Sequence, residues 1–398
     1  MKKFDRAYYF LIIVLLIVSC TEPFTIQNIE ETEALVVEAS ITNEVSYQSI
    51  YLSKAINLTE DKLKPEVNAI VYIKGDNNTV YNFKETTSGV YVSTNTFSAQ
   101  KNVNYQLFIE LANGKKYESL KEKTTSNSQF NDIKVKLHEN LDGDQEFRLF
   151  VDSSDLTGNS KYYRYTYEET YKIVAPFWSP YELQSDKNSS TGYKIVRKTD
   201  LTKGVCYSTN VSNTIIQTET TSLEKDNVLF PIRRISVDDF IISHRYSILV
   251  KQYVQSFEAY TYYKVLSKFS NASNLLSQSQ PGFFNGNIFS TTDKEERIIG
   301  FFEVVSVNSK RIFFNYRDFF KTGRPDYIEK CGLYSPSAKK DPNFGLISPL
   351  EDALENGWVY FSETGFDTKE IGPYNLVAKE CGDCTKSGTN IKPSFWID

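Results

Sequence analysis

The sequence predicts a mainly β protein in which an N-terminal immunoglobulin-like sandwich precedes a larger β-rich domain with one or two short helices. Three observations favour this fold class. From Ala34 onward, short segments alternate apolar and polar residues, turn residues separate these segments, and 14% of the 398 residues are aromatic. With 40% hydrophobic residues, the chain is long enough to bury the core of one large or two ordinary domains.

The first 20 residues, MKKFDRAYYFLIIVLLIVSC, have the pattern of an export signal that ends at a cysteine. Basic residues precede an apolar run from Tyr8 to Val18, and a serine leads into Cys20. The run is shorter than the roughly 20 residues of a membrane-spanning helix. The pattern resembles a bacterial lipoprotein signal, so we expect cleavage before Cys20 and lipidation of its sulfur. An ordinary secretory signal with an incidental cysteine is the alternative.

Composition shifts divide the chain into four predicted parts. Residues 1–19 are the signal peptide, and residues 20–33, which lack strand or helix periodicity, form a tether. The immunoglobulin-like sandwich occupies residues 34–125 and the β-rich C-terminal domain residues 126–398. The polar run KEKTTSNSQ from Lys121 to Gln129 interrupts the alternating strands and sets this boundary.

Seven short strands are predicted in the first domain, a number that fits an immunoglobulin-like sandwich. A hairpin turn at Asn113–Gly114 supports them, because both residues tolerate positive φ. The predicted strands are Leu35–Ile41, Ser49–Ser53, Ala69–Lys74, Val80–Lys84, Val90–Ser93, Tyr105–Leu111 and Lys116–Leu120.

The second domain continues the strand pattern and adds two helices. A first helix from Phe257 to about Lys268 has helical apolar spacing and Ser256 as its cap. A second is signalled by Ser348 as N-cap and Gly357 as its stop. The predicted strands are Ile133–Leu137, Glu146–Asp152, Tyr162–Val174, Tyr193–Arg197, Val228–Arg234, Tyr246–Gln255, and a hairpin of Arg297–Val307 with Arg311–Tyr316 around the turn Asn308–Ser309–Lys310.

Four cysteines other than Cys20 occur, and an even number in an exported protein predicts two disulfides. The candidates are Cys206, Cys331, Cys381 and Cys384, for which three connectivities are possible. The Cys381-Gly-Asp-Cys384 spacing also suits a redox pair or half of a zinc site. Its polar C-terminal context favours structural bridges.

Charge and composition argue against several function classes. The net charge is −5 and no basic block occurs, so a nucleic-acid partner is not expected. His138 and His244 are the only two histidines in the sequence, which leaves little material for histidine metal sites or catalytic triads. We therefore predict no catalytic residues and no cofactor.

Two groups of residues are weak candidates for binding. Tyr163, Tyr165, Tyr167 and Tyr171 share one face of a predicted strand, and Trp178 follows it. Such aromatic residues suit a sugar, peptide or protein partner, but they equally suit a sheet core.

The second group is a weak candidate for calcium. Asp142, Asp144 and Glu146 place oxygen ligands on alternate residues. A simple Asp-Gly turn is the alternative interpretation, and we therefore predict no resident metal.

Several segments together resemble a known family. They are LVVEASIT at 35–42, SILVKQYVQSFEAYTYY at 247–263, PGFFNGNI at 281–288, RIIGFF at 297–302 and CGDCTKSGTNIKPSFW at 381–396. With the cysteine-ended signal, they are similar to domain-of-unknown-function family 4249, whose members are lipoproteins of Bacteroidota.

The resemblance implies a lipid anchor in the outer membrane, in either the periplasmic or the surface-facing leaflet. It further implies a non-enzymatic binding or accessory role, with a TonB-dependent β-barrel receptor as partner in nutrient capture. Two alternatives remain open: an envelope hydrolase whose carboxylates are scattered in sequence, and a purely structural envelope lipoprotein.

Overall fold

Strands make up most of the regular structure, which confirms the mainly β prediction. This computed structural model describes residues 34–55, 64–140, 142–270, 286–340, 347–368 and 370–398. The predicted signal peptide, the tether and Cys20 lie outside the described residues. None of the helices in these ranges combines the length and the apolar character needed to cross a membrane.

Twenty-two strands and three α-helices lie within the described residues. The strands up to residue 123 are β1 (Ala34–Thr42), β2 (Ser49–Ala55), β3 (Lys64–Pro65), β4 (Ile70–Gly75), β5 (Val80–Thr87), β6 (Val90–Ser93), β7 (Asn104–Glu110), β8 (Lys116–Ser119) and β9 (Glu122–Lys123). The later strands are β10 (Gln129–Glu139), β11 (Gln145–Ser154), β12 (Tyr162–Val174), β13 (Tyr181–Ser185), β14 (Tyr193–Arg197), β15 (Val205–Val211), β16 (Ile216–Glu219), β17 (Asn227–Ser236), β18 (Arg245–Gln255), β19 (Ile288–Ser290), β20 (Ile298–Asn315), β21 (Val359–Glu363) and β22 (Tyr374–Val377). The α-helices are α1 (Phe257–Ser270), α2 (Pro349–Glu355) and α3 (Lys379–Gly382).

Both predicted helices form where their caps place them. At the start of α1, Ser256 Oγ accepts a hydrogen bond from Ala259 N at 3.1 Å. At the start of α2, Ser348 Oγ accepts from Glu351 N at 3.2 Å. Gly357, which follows α2, has a φ of +86°, a conformation that favours glycine. The two helices are confirmed, and the structure adds the four-residue α3.

The hairpin predicted around residues 308–310 is wrong, because β20 runs unbroken through them. The polar side chains there do not turn the chain but bind the segment around the start of β10. Asn308 Nδ2 donates to Ser128 O at 2.7 Å, and Lys310 Nζ donates to Asn131 O at 2.7 Å. These polar residues therefore satisfy the backbone of a neighbouring segment.

β20 joins the two halves of the molecule. Its first half pairs in parallel with β1, from Leu35 with Ile298 to Thr42 with Val305, and its second half pairs antiparallel with β18. The strand order in the resulting sheet is β15-β12-β18-β20-β1-β2-β6-β5-β4-β7-β8-β19. The hydrogen-bonded sheet thus continues across the predicted domain boundary at residue 125.

The first hydrophobic core collects the inward-facing side chains of β1 and its neighbours. β1 buries alternate residues from Leu35 to Ile41, as the two-residue period of a strand requires. Ile288 of β19 and both Phe302 and Val304 of β20 belong to the same core. The core of the predicted sandwich, residues 34–125, therefore also contains residues of two later strands, β19 and β20. The immunoglobulin-like class of this sandwich stays a prediction.

A second core lies between two sheets. The three-stranded sheet β10-β11-β17 packs against the part of the main sheet formed by β12, β18 and β20, and buries Phe147, Leu149 and Ile248 completely. α1 packs on β20, where the rings of Tyr262 and Phe301 are 5.5 Å apart. β12 thus packs against the three-stranded sheet on one face and against α1 on the other. These contacts set the position of the loop that follows β12.

One side chain connects the start of β19 to β20. Asn287 Oδ1 accepts from Phe302 N at 2.7 Å and Asn287 Nδ2 donates to Phe302 O at 2.8 Å, as the backbone of a neighbouring strand would. The same nitrogen donates to Glu122 Oε1 at 2.8 Å. Since Asn287 is only 6% exposed, its amide replaces water for all three groups.

Replacing Asn287 with alanine is expected to lower the free energy of unfolding by about 3 kcal/mol. The change leaves the N–H and C=O of Phe302 and the Glu122 carboxyl without this partner, and a buried unsatisfied group costs about 1–3 kcal/mol. Urea denaturation followed by fluorescence measures the loss. Asn210→Ala, on the exposed part of β15, is the control and should change stability by less than about 0.5 kcal/mol. Equal stabilities of the two variants would contradict the prediction.

Candidate functional site

Two disulfides fasten the C-terminal segment to the body of the protein. Cys206 of β15 bonds to Cys384, and Cys331 bonds to Cys381. The predicted pair of disulfides is confirmed, and the structure supplies the connectivity that the sequence left open. Because the two cysteines of the Cys-x-x-Cys motif have different partners, the redox-pair and half-zinc-site interpretations are set aside.

The residues after Cys384 lie along β15 and β20. Thr389 and Tyr207 exchange backbone hydrogen bonds of 2.8 and 2.9 Å. Trp396 is 5% exposed, and its ring lies 4.9 Å from that of Tyr207 and 5.7 Å from that of Phe313. The last residues of this segment are therefore packed into the folded body.

A groove of about 410 Å³ opens between the end of β12, the turn at residues 202–204 and this C-terminal segment. Asn390 Nδ2 donates to Thr202 Oγ1 at 2.6 Å and so links two of its walls. The apolar lining includes Val174, Trp178, Leu201 and Tyr207, and the polar lining includes Thr202, Asn390 and Lys392. We call this the Trp178 groove.

Trp178 has a fixed position in the groove. Ala175 N donates to Gly204 O at 3.0 Å, and Phe177 N donates to Cys381 O at 3.0 Å. A Cβ built on Gly204 would lie 2.7 Å from ring carbon Cδ2 of Trp178. The indole therefore lies closer to the backbone of residue 204 than any residue with a side chain would allow. The turn, the disulfide-bonded segment and the ring therefore hold one another in place.

The Trp178 groove combines an aromatic surface with hydroxyl, amide and ammonium groups. This combination suits a ligand that has an apolar face and hydrogen-bonding groups along its edge, as a peptide segment or a sugar has. Lys392 Nζ is 2.6 Å from Asp398 Oδ2, so the ammonium charge is already balanced within the protein. Hydrogen bonding and apolar contact are the interactions that the groove offers.

The tyrosines predicted beside Trp178 as ligand contacts belong to the second core, which corrects that prediction. Tyr163, Tyr165 and Tyr171 are at most 6% exposed. Tyr167 is half-buried, with the Arg233 guanidinium 5.9 Å from its ring centroid. The alternating pattern does put these rings on one face, but the three-stranded sheet covers that face.

The predicted calcium ligands belong to the turn between β10 and β11. Asn140 Oδ1 accepts from the backbone N of Asp142 at 2.9 Å and of Asp144 at 2.8 Å. Glu146 pairs with the Arg148 guanidinium. In the part of the chain that the structure describes, no three His, Cys, Asp or Glu side chains are grouped to hold a metal. The hydrogen bonds give this turn a local structural role.

Two carboxyl groups, those of the half-buried Glu122 and the buried Glu303, bear on the hydrolase alternative. Burial raises the pKa of Glu122, an effect that the Asn287 amide opposes and that Glu258 and Glu303 reinforce. Glu303 is 2% exposed, is bound by Arg164, and accepts from Gln255 Nε2 at 3.1 Å. A carboxylate enclosed and neutralised in this way serves packing rather than substrate contact.

Sequence reasoning identified Trp178 but missed the other residues of the groove. Thr202 and Tyr207 lie in a turn and the strand directly after it, Asn390 lies in the distant C-terminal segment, and no motif links the two segments. The disulfide between Cys206 and Cys384 is the signal that brings them together. The four cysteines allow three pairings, so the sequence alone could not show that Cys206 bonds to Cys384.

Comparison with known proteins gives one family and a number of distant structures, two of which follow. A family profile described as "Domain of unknown function (DUF4249)" matches residues 21–311. No curated protein matches. A DUF4785 family protein from Legionella pneumophila has 9% identity and a TM-score of 0.14, over 56% of this chain and 51% of its own. Trypsin-activated alpha-2-macroglobulin from Escherichia coli has 8% identity and a TM-score of 0.16, over 57% of this chain and 15% of its own. The chain thus spans about half or less of either structure, and similarity at this level assigns no role.

Proposed function

The chain belongs to the DUF4249 family, and from this membership we propose that it is a lipid-anchored outer-membrane protein that acts as a non-enzymatic binding subunit. Its partner in this proposal is a TonB-dependent receptor engaged in nutrient capture. Lipidation at Cys20, an origin in Bacteroidota and an immunoglobulin-like N-terminal unit are parts of the same proposal. The cysteine-ended signal and the family resemblance support it.

The observation that carries the binding role is the Trp178 groove. Its walls are joined by the Cys206–Cys384 disulfide and by the hydrogen bond from Asn390 to Thr202. A partner therefore meets a preset surface, which reduces the entropy lost on binding. Tryptophan is also among the residue types most enriched at the positions that dominate binding energy in protein interfaces. We therefore assign the groove to a peptide segment of the receptor.

Capture from native membranes tests the proposal. The tagged protein, expressed at native abundance, is extracted with mild detergent and captured, and the co-purifying proteins are quantified by mass spectrometry. We expect one TonB-dependent receptor in near-equal amount. Cys20→Ala should move the protein out of the membrane fraction. Recovery of the protein alone would contradict the proposal and favour the structural or hydrolase alternatives.

Replacing Trp178 with alanine is expected to lower receptor recovery more than tenfold, because truncating an anchoring tryptophan costs about 2 kcal/mol or more. Phe366→Ala is the matched control, since Phe366 is 64% exposed, lies between β21 and β22 and is not among the residues that line the groove. Its recovery should equal that of the wild type. If both variants retain full recovery, the receptor binds elsewhere on the protein.

A further inference from the structure

A second, smaller pocket of about 160 Å³ lies on another side of the end of β12. Its walls are Val174 with Pro176, the turn at Ser243 and His244 before β18, and the segment from Arg324 to Tyr327. Val174 also lines the Trp178 groove, so the two concavities are neighbours. We call this the His244 pocket.

Three donor side chains of the His244 pocket have no partner among the residues that the structure describes. Within the described ranges, the side chains of Ser243, His244 and Arg324 take part in no hydrogen bond or ion pair. The fourth donor in the lining, the Tyr327 hydroxyl, is engaged with Glu380 O at 3.0 Å. A hydroxyl, an imidazole and a guanidinium that converge on one cavity without partners form an arrangement that a bound acceptor would satisfy.

The charges around His244 are predominantly positive. Burial, reinforced by the positive charges of Arg324 and Lys172, lowers the pKa of His244 to about 4. Lys172 on β12 is only loosely paired, with its Nζ 3.7 Å from Asp398 Oδ1. Asp326 also lines the pocket, but it is exposed and is not among the charges that shift His244. Arg324 and Lys172 are thus the charges that act on the His244 side of the pocket, whereas Glu329, Asp383 and Glu380 act on Tyr327 at the other wall.

We propose that the His244 pocket binds a small oxyanion, the carboxylate or phosphate group of a ligand. Arg324 and Lys172 supply the charge, the Ser243 hydroxyl donates a hydrogen bond, and His244 donates a second once it is protonated. The cavity, at about 160 Å³, has room for one such group. The oxyanion is thus the anchoring end of the ligand, and this site is independent of the receptor contact assigned to Trp178.

Anion binding and protonation of His244 must be coupled. Without an anion the pKa of His244 is about 4, so its imidazole is neutral near pH 7. A bound oxyanion favours the charged imidazole, so binding raises the pKa of His244, and the affinity for the anion rises as the pH falls through this raised pKa towards the free value of about 4. An oxyanion that binds the protonated form tenfold more tightly raises this pKa by one unit.

Nuclear magnetic resonance of the histidine side chains tests this directly, because the sequence has only two histidines. The full protein, labelled with ¹³C in histidine, is titrated from about pH 3 to pH 7, a window that includes the pKa of His244 without anion, in chloride, formate and inorganic phosphate at one ionic strength. We expect phosphate or formate, but not chloride, to raise the pKa of His244 by at least one unit. Whichever anion acts at lower concentration identifies the oxyanion class.

Two variants distinguish anion binding in the His244 pocket from a general effect of salt on the protein. Arg324→Gln removes an exposed cation of the pocket, and Lys321→Gln removes an exposed cation of the same segment outside it. The first should abolish the shift and the second should leave it intact, while circular dichroism shows that both variants are folded. An equal response to chloride, no response up to about 50 mM anion, or equal effects of the two variants would overturn the proposal. Trp178→Ala should not alter the shift, so the two proposals fail separately.

Discussion

Replacing Glu303 with alanine is expected to lower the free energy of unfolding by about 3–5 kcal/mol, one of the two largest effects that we expect. Glu303 of β20 binds the Arg164 guanidinium of β12, and their side chains are 2% and 14% exposed. The guanidinium carbon also lies 4.4 Å from the ring centroid of Tyr253 and 4.9 Å from that of Tyr263. Loss of the carboxylate leaves a cation enclosed between aromatic rings without its counterion.

The measurement is chemical denaturation of the disulfide-intact protein, with two controls. Replacing Arg164 and Glu303 together by methionine should cost much less than Glu303→Ala alone, because no unpaired charge remains buried. Glu219→Ala breaks the surface pair with Lys264, in which the Glu219 and Lys264 side chains are 38% and 50% exposed, and should cost less than about 1 kcal/mol. A double variant that is less stable than the single variant would contradict this account.

Removing the Cys206–Cys384 disulfide with paired serine substitutions is expected to destabilise the protein by about 5 kcal/mol. The bridge joins residues 178 positions apart, and the entropy that a bridge removes from the unfolded chain grows with the logarithm of this separation. The Trp178 groove should be lost at the same time, because Asn390 and Lys392 follow Cys384. Thermal unfolding and limited proteolysis of the C-terminal segment measure both effects.

The second bridge is the matched control. Cys331 and Cys381 are 50 positions apart, so serine substitutions there should cost about 4 kcal/mol, less than the longer bridge. The cleavage pattern should also differ, since Cys206–Cys384 is the bridge nearer to Trp396. A melting temperature within a degree of the wild type after loss of the longer bridge would refute the prediction.

Local patterns predicted the parts of the fold that depend on local physics. The bounds of β12 and β14 follow from alternation, and Ser256 and Ser348 follow from capping chemistry. The pairing of β1 with β20 joins segments that are distant in sequence, and no local pattern predicts it. The polar residues 308–310 favour a turn when considered alone, and only their distant partners show why they stay extended.

The candidate site was less predictable than the fold for the same reason. The tyrosine face of β12 was correctly identified as one surface, but the sequence does not show that the three-stranded sheet covers it. Trp178 was recognised because of its residue type. The partners that make it part of a groove come from segments joined by a disulfide whose connectivity was open. The His244 pocket depends likewise on Arg324, which is remote in sequence.

The parallel pairing of β1 with β20 sets the order in which the protein can fold. Leu35 and Ile298 are partners across 263 positions, 298 minus 35, so the first core lacks a wall until most of the chain has been synthesised. Contacts this distant are slow to form, and unpaired strands that wait for them are prone to aggregate. Under the proposed export, a chain that crosses the membrane from its N-terminus delivers β1 long before its parallel partner β20. Chaperones on the far side would then have to protect that strand until β20 arrives.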